Sequence, residues 1–186
     1  MLIGLVGQKG VGKDTFADYL IQEYTFEKTH FADPLKESIR HIFDLNDDQL
    51  YGKDKETFDP RWNKTPRQLF QLFGTEIMRN IMSPMLGLGN EIWVYRFKIW
   101  YENQTDKNIV VADVRFPSEA DEIRKLGGII IRIDGNNESN DHHISEQLIN
   151  EINVDYVVTN ITSKEEYFSK IKQLVETLTK AEMRHN

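Results

Sequence analysis

The chain reads as an α/β protein: about five parallel strands covered on both faces by helices. Three observations predict this. Short apolar runs recur along the whole length, and segments of helical periodicity alternate with them. Helical crossovers between successive runs call for parallel neighbours and a sheet buried on both sides. The first run also leads straight into a glycine-rich turn and a helix start, the edge at which α/β sheets hold ligands.

The first run is Leu2, Ile3, Leu5 and Val6, long enough for one buried strand. Gly7 to Lys13 then reads G-x-x-x-x-G-K, and Phe16, Leu20 and Tyr24 follow at four-residue spacing on a helix. This is the context of a P-loop, which implies binding of a nucleoside triphosphate. Gly7, Gly10, Val11 and Gly12 supply backbone N–H groups that turn toward phosphate, and the helix N-terminus adds partial positive charge. Lys13 would reach the β- and γ-phosphates as a mobile charge. After the lysine, where Ser or Thr is usual, stands Asp14. Its carboxylate suits Mg²⁺, directly or through water, or it favours the helix N-terminus electrostatically; the two roles are compatible. Thr15 would hydrogen-bond a phosphate, and Lys9 is either a second cation for the transferring group or an exposed lysine.

Composition narrows the class. With 186 residues the chain is one ordinary domain or a core with a small insertion, large enough for a real hydrophobic core. The 23 basic and 30 acidic side chains give a charge of −7, which argues against nucleic acid as the main partner. There is no cysteine, hence no disulfide framework or thiolate chemistry. No apolar run approaches a membrane span, and the N-terminus enters a core strand directly. A soluble enzyme of the cytoplasm is the expectation.

Phe26 to Phe31 is the second strand. Asp33 then either caps the next helix ahead of Pro34 or faces a ligand; Leu35, Ile39 and Ile42/Phe43 are that helix's apolar positions. Asn46 to Lys64 is polar and poorly periodic, and reads as an insertion or mobile loop. Thr65 and Pro66 open another helix with Leu69, Phe70, Leu72, Phe73 and Ile77 as its apolar stripe. Arg67, Gln71 and Arg79 lie off that stripe. Gly74 inside it costs about 1 kcal/mol and invites a packing or functional reason. Ser83 to Asn90 reads as a loop and Glu91 to Tyr101 as a helix whose Trp93 is either core or a base-stacking platform.

Asn108 to Asp113 is a further strand. Asp113, Arg115 and Glu119 cluster where it gives way to a helix containing Ile123 and Leu126, either as a functional group or as a surface ion-pair cluster. In P-loop enzymes an Asp at such a strand end commonly lies near the metal and phosphates. Gly127-Gly128 ends the helix, and Ile129 to Ile133 is the fourth strand. Asp141, His142, His143 and Glu146 match no strong zinc spacing. Asp155 to Thr159 is the last strand, and Asn160 leads into a helix with Tyr167, Ile171, Leu174, Val175 and Leu178 on one face.

Taken together, GQKGVGKDT, FADPLKE, TPRQLFQLFGTE, VVADVRFPSEADEI, GGIIIRI, DHHISE and DYVVTN resemble the deoxynucleoside monophosphate kinases known best from bacteriophages. The blocks span nearly the whole chain in order. The resemblance implies a three-layer P-loop kinase fold with a helical acceptor-binding insertion at about 44–105 and a short lid-like segment at about 134–150. It implies phosphoryl transfer from ATP to a deoxynucleoside monophosphate with Mg²⁺, a phage-type enzyme of the host cytoplasm, and it admits a homodimer. Asp113, Arg115 and Glu119 would hold the acceptor's sugar and base, with Asp14 and Asp113 as metal ligands. Arg79 and Trp93 would be the acceptor-site arginine and stacking tryptophan; Asp33, Lys36, Arg67, Gln71 and Glu76, in matching blocks, line the same pocket, and Asn160 joins the ATP-binding set. One departure stands out: Asp134 to Glu151 contains no Lys or Arg where related lids often carry arginines. Lys9, Lys13, Arg79 and Arg132 are then expected to share the neutralising role, with His143 a lesser candidate. A kinase for another small acceptor (dephospho-coenzyme A, phosphomevalonate) and a regulatory ATP-binding module are the rivals.

Overall fold

All the expected strands form: β1 (Leu2–Val6), β2 (Phe26–Thr29), β3 (Asn108–Val111), β4 (Ile129–Gly135) and β5 (Tyr156–Asn160). They pair in parallel as one five-stranded sheet of order β2-β3-β1-β4-β5. The structure is a computed structural model that describes residues 1–136 and 148–182. Asp141, His142, His143 and Glu146 lie outside the described residues. The chain divides into two units, Met1–His30 with Asp106–Asn186, and Phe31–Thr105.

The sheet belongs to the first unit. Successive strand residues point to opposite faces, so Ile3 and Leu5 share one face of β1. There they join Phe16 and Leu20 of α1 (Lys13–Tyr24) and Tyr167, Ile171 and Val175 of the last helix (Lys164–Glu182) in one buried cluster. Fully burying each such aliphatic or Phe side chain contributes about 1.5–3 kcal/mol. Gly4 points the other way: a Cβ there would lie 2.8 Å from Ile123 Cδ1, on the helix Pro117–Lys125. Helices therefore cover both faces, and β1 is dry on each side because it is central. β2 stops at Thr29, two residues short of the expected Phe31.

In the second unit, α2 (Asp33–Phe43), α3 (Asp47–Leu50) and α4 (Pro66–Gln71) enclose a small core of Ile39, Leu45, Leu50 and Leu69. Three local readings change here. Asp33 is the first helical residue and not the cap; Ala32 occupies the cap position, without a side-chain bond. The segment 46–64 is ordered: Asn46 and Gln49 form a reciprocal capping box, and Leu50 is wholly buried. Beyond α4 the helix does not end at Ser83 but continues as a π-helix, Leu72–Met82, and a last turn, Ser83–Met85. The wider π turn breaks the 3.6-residue period, which is why Leu72 and Ile77, placed on the apolar stripe by that period, are exposed. A final helix of this unit, α5, covers Ile92–Tyr101; the helices Pro117–Lys125 and Lys164–Glu182 are α6 and α7.

Asp59 anchors the ordered 46–64 segment. Its buried carboxylate accepts from Arg61 Nε at 3.0 Å and Nη2 at 2.7 Å, and from Gln49 Nε2 at 3.0 Å. These donors, Arg61 first, hold its pKa down at about 2. A carboxyl lowered from about 3.9 in the unfolded chain stabilises fully above that value and ceases to as pH falls through its folded pKa. Asp59→Asn is therefore expected to lower Tm at pH 7. The deficit relative to the parent should shrink between about pH 4 and pH 2; melts across that range check it, and a pH-independent deficit would show that the charge is not responsible.

Candidate active site

The turn between β1 and α1 takes the form its residues predict. Gly12 occupies the position before the helix at φ 106°, in left-handed space that favours glycine. The Gly12 carbonyl accepts the first helical bond from Phe16 N–H at 3.0 Å. Lys13 Nζ donates to the carbonyls of Gly7 at 2.6 Å and Gln8 at 2.7 Å, so the ammonium is folded over its own loop. A cation held there by carbonyls is poised for phosphate oxygens, which accept more strongly because they are charged. Gly10 and Lys9 form the exposed outer part of the loop, while Val11 is buried and packs against Gly135 of β4.

Asp14 and Thr15 lie in the first turn of α1. The Asp14 carboxylate is exposed, with Lys28 Nζ 3.6 Å and His30 Nε2 3.9 Å from Oδ1. The His30 imidazole first, then the Lys28 ammonium, bring its pKa down to about 2. The group is therefore an ionised, accessible, hard oxygen donor at neutral pH, which is what Mg²⁺ requires. No group of three or more His, Cys, Asp or Glu able to hold a metal occurs among the described residues. A protein cage for the metal is thus lacking in that part of the chain. The donor set suits a cation shared between one or two carboxylates and substrate phosphates, the usual habit of Mg²⁺.

The segment after β3 comes to the same strand end. Val114 N–H donates to Leu5 O at 3.2 Å, which seats Asp113 and Arg115, both half-buried, beside the end of β1. Glu119, 3 % exposed, turns its Oε2 back to accept from the Arg115 N–H at 2.8 Å and the Phe116 N–H at 3.2 Å. Its carboxylate thus shapes the 115–116 turn and stabilises the first turn of α6. Arg132 on β4 pairs with Asp134 at 3.1 Å. Asn160, at the end of β5, donates Nδ2–H to the Val11 carbonyl at 2.9 Å.

The remaining expected residues belong to the second unit. Lys36 Nζ sits 4.6 Å from the centre of the Tyr51 ring, whose hydroxyl donates to Glu37 at 3.0 Å. Arg67 is ion-paired with Glu56. Gln71 ends α4, half-buried, and Glu76 accepts from Asn80 Nδ2 at 3.2 Å. Arg79 is buried and donates a long bond to Asn90 O at 3.4 Å. Trp93, half-buried on α5, donates Nε1–H to Gly74 O at 2.9 Å. That bond, with Leu35 Cδ2 at 2.6 Å from where a Gly74 Cβ would stand, is the packing reason for a mid-helix glycine. Sequence reasoning missed His30 and Lys28 beside Asp14, and read Tyr167 only as a core position. Its hydroxyl in fact donates to Gly12 O at 3.1 Å. Nothing in helical periodicity distinguishes that tyrosine from a phenylalanine.

A parallel sheet of this order, whose central strand enters a Gly–Lys loop capped by a helix, defines the P-loop kinase class of fold. The same fold occurs in dephospho-CoA kinase from Campylobacter jejuni, TM-score 0.51 and 14 % identical, over 97 % of this chain and 98 % of that one. Shikimate kinase from Bacteroides thetaiotaomicron also has it, TM-score 0.51 and 13 % identical, over 96 % and 98 %. The sequence is narrower in its affinities. The family model for deoxynucleotide monophosphate kinase matches residues 1–63 and 55–171. A protein of Acanthamoeba polyphaga mimivirus, provisionally named a deoxynucleotide monophosphate kinase, is 41 % identical over 95 % of this chain and 96 % of its own. The deoxynucleotide monophosphate kinase of Enterobacteria phage T4 is 26 % identical over 95 % and 99 %. The chain belongs to the deoxynucleotide monophosphate kinase family.

Among the described residues, no helix is long and apolar enough to cross a membrane.

Proposed function

We propose that the protein transfers the γ-phosphoryl group of ATP to a deoxynucleoside monophosphate, giving the diphosphate and ADP. The observation that carries this reading is the loop: Lys13 is folded onto the Gly7 and Gln8 carbonyls of a turn whose flanking strand and helix are both in place, in a chain of this family. The acceptor oxygen belongs to a phosphate that is already anionic, so no strong general base is needed. Catalysis then consists of alignment and charge neutralisation. Gly7, Gly10, Val11, Gly12, Lys13 and Thr15 bind the donor's phosphates, Lys13 follows the transferring group, and Lys9 and Arg132 add positive charge. Arg132 would have to leave Asp134 to do so.

Asp14 and Asp113 would hold Mg²⁺, which, when bound, neutralises the donor phosphates against the incoming anion. On the acceptor side, Asp113 and Arg115 recognise the nucleoside, Glu119 keeps their turn in shape, and Arg79 and Trp93 bind phosphate and base. Asp33, Lys36, Arg67, Gln71 and Glu76 complete the acceptor set, and a homodimer is the proposed assembly.

A coupled ADP-release assay with ATP and Mg²⁺ tests this against dAMP, dGMP, dCMP, dTMP and their ribose counterparts. Turnover of at least one deoxynucleotide is expected, and none of dephospho-coenzyme A or phosphomevalonate. Silence on every nucleotide, from protein that binds ATP, would overturn the reading in favour of another acceptor or a regulatory site.

A further inference from the structure

Two side chains from the C-terminal third of the chain reach the phosphate loop, and both do so as donors to its carbonyls. Asn160 Nδ2–H bonds Val11 O at 2.9 Å, and the Tyr167 hydroxyl bonds Gly12 O at 3.1 Å. The contacts bridge 149 and 155 residues of sequence. Tyr167 is 1 % exposed, and its ring meets Phe16 of α1 edge-on at 6.4 Å. Its phenol is held neutral, since burial pushes its pKa well up, so it remains a donor at every physiological pH.

A peptide unit is planar and trans, so its C=O and the N–H of the next residue point in opposite directions. Anchoring Val11 O on one side therefore directs the Gly12 N–H to the other. Anchoring Gly12 O does the same for the Lys13 N–H. Those two N–H groups belong to the stretch proposed to face phosphate, and Gly12, at φ 106°, has no Cβ to restrict its own backbone. Gly12 O already accepts from Phe16 N–H at 3.0 Å, so Tyr167 adds a second donor to the same oxygen and ties the loop to the helix start.

We infer that Asn160 and Tyr167 are positioning residues that lock the Val11–Gly12 and Gly12–Lys13 peptide planes with their N–H groups turned toward the donor's phosphates. The inference rests on the nucleotide-binding reading of the loop and deepens it. It gives the Tyr167 hydroxyl a part in triphosphate affinity that its ring does not have, and it gives Asn160 a task independent of any contact with the base.

The test is calorimetric titration of the full chain with ATP and with inorganic tripolyphosphate, which has no base, in the presence of Mg²⁺. Tyr167→Phe keeps the buried ring and removes the donor; Asn160→Ala removes the other. Each is expected to weaken both ligands by about tenfold, equal to a lost hydrogen bond to a charged site's scaffold. KM for the acceptor should be unchanged and Tm should stay within a few degrees of the parent. Parent-like affinity in Tyr167→Phe would overturn the inference. So would a parallel loss of ATP affinity, acceptor KM and Tm, which would mark a packing role. Loss for ATP but not tripolyphosphate in Asn160→Ala would assign that residue to the base. Failure of the parent to bind either ligand would instead remove the nucleotide reading itself.

Discussion

Replacing Lys13 by alanine is expected to lower kcat by about 10³-fold, the scale of losing one well-placed donor to developing charge, with little change in Tm. The asymmetry follows from where the ammonium sits. It bonds two carbonyls of its own loop, Gly7 O at 2.6 Å and Gln8 O at 2.7 Å. Lys13 is half-buried, Gln8 is partly exposed and both bonds are only part-buried, so water can replace the lost donor at the Gln8 carbonyl, while Gly7, a buried residue, limits how fully it does so at the other. The charge on the transferring phosphoryl has no such substitute, because an ordered cation stabilises it far better than solvent does. Steady-state turnover of the best acceptor and a thermal melt measure the two halves. Parent-like turnover in Lys13→Ala would take the loop out of the chemistry.

Gly12→Ala is expected to abolish measurable ATP binding, by more than about 100-fold, and to destabilise the fold by about 1–3 kcal/mol. Two independent costs meet at this residue. Its φ of 106° is strained for any residue with a Cβ, and the added carbon would collide with the Asn160 amide. Relief of the collision moves either Asn160 or the peptide that carries the Gly12 N–H, and both are parts of the proposed phosphate cradle. Gly89→Ala separates the terms. It also has positive φ, 58°, but nothing lies within 4 Å of the added carbon. That variant should cost about 1–2 kcal/mol of stability and leave ATP affinity unchanged. Calorimetric titration and denaturant unfolding of the pair provide the comparison. Tight ATP binding by Gly12→Ala would show that the loop tolerates a shift in this peptide.

β1, β3 and β4 were legible because each holds an apolar run, and a sheet covered on both faces demands such runs from its central strands; β2, Phe-Glu-Lys-Thr at the sheet edge, carries none. Ile3, Leu5, Val110, Ile131 and Ile133 are 0–1 % exposed, as that logic requires. The loop was legible because its signature is local: the glycines and Lys13 stand within seven consecutive residues between a strand and a helix. The second unit was harder to read. Leu50 lies in a polar stretch without periodicity, yet it is wholly buried with Ile39 and Leu69. No local pattern indicates which single leucine a distant helix will cover. The π turn of Leu72–Met82 likewise displaced Leu72 and Ile77 from the face that α-helical spacing assigns to them.

Local sequence thus determined the parallel α/β class, the five strands, the position of the phosphate loop and the charge it presents. These depend on apolar runs, glycine and lysine over a few residues, and short-range interactions suffice to specify them. Tertiary structure decided what each polar side chain does once the chain is folded. It turned Glu119 onto backbone amides, paired Arg132 with Asp134, set His30 and Lys28 beside Asp14, and brought Asn160 and Tyr167 to the loop. The physical reason is one of range. A hydrogen bond is directional and reaches about 3 Å, so its partner is chosen by where the sheet and helices place two atoms. The residue types alone leave that choice open.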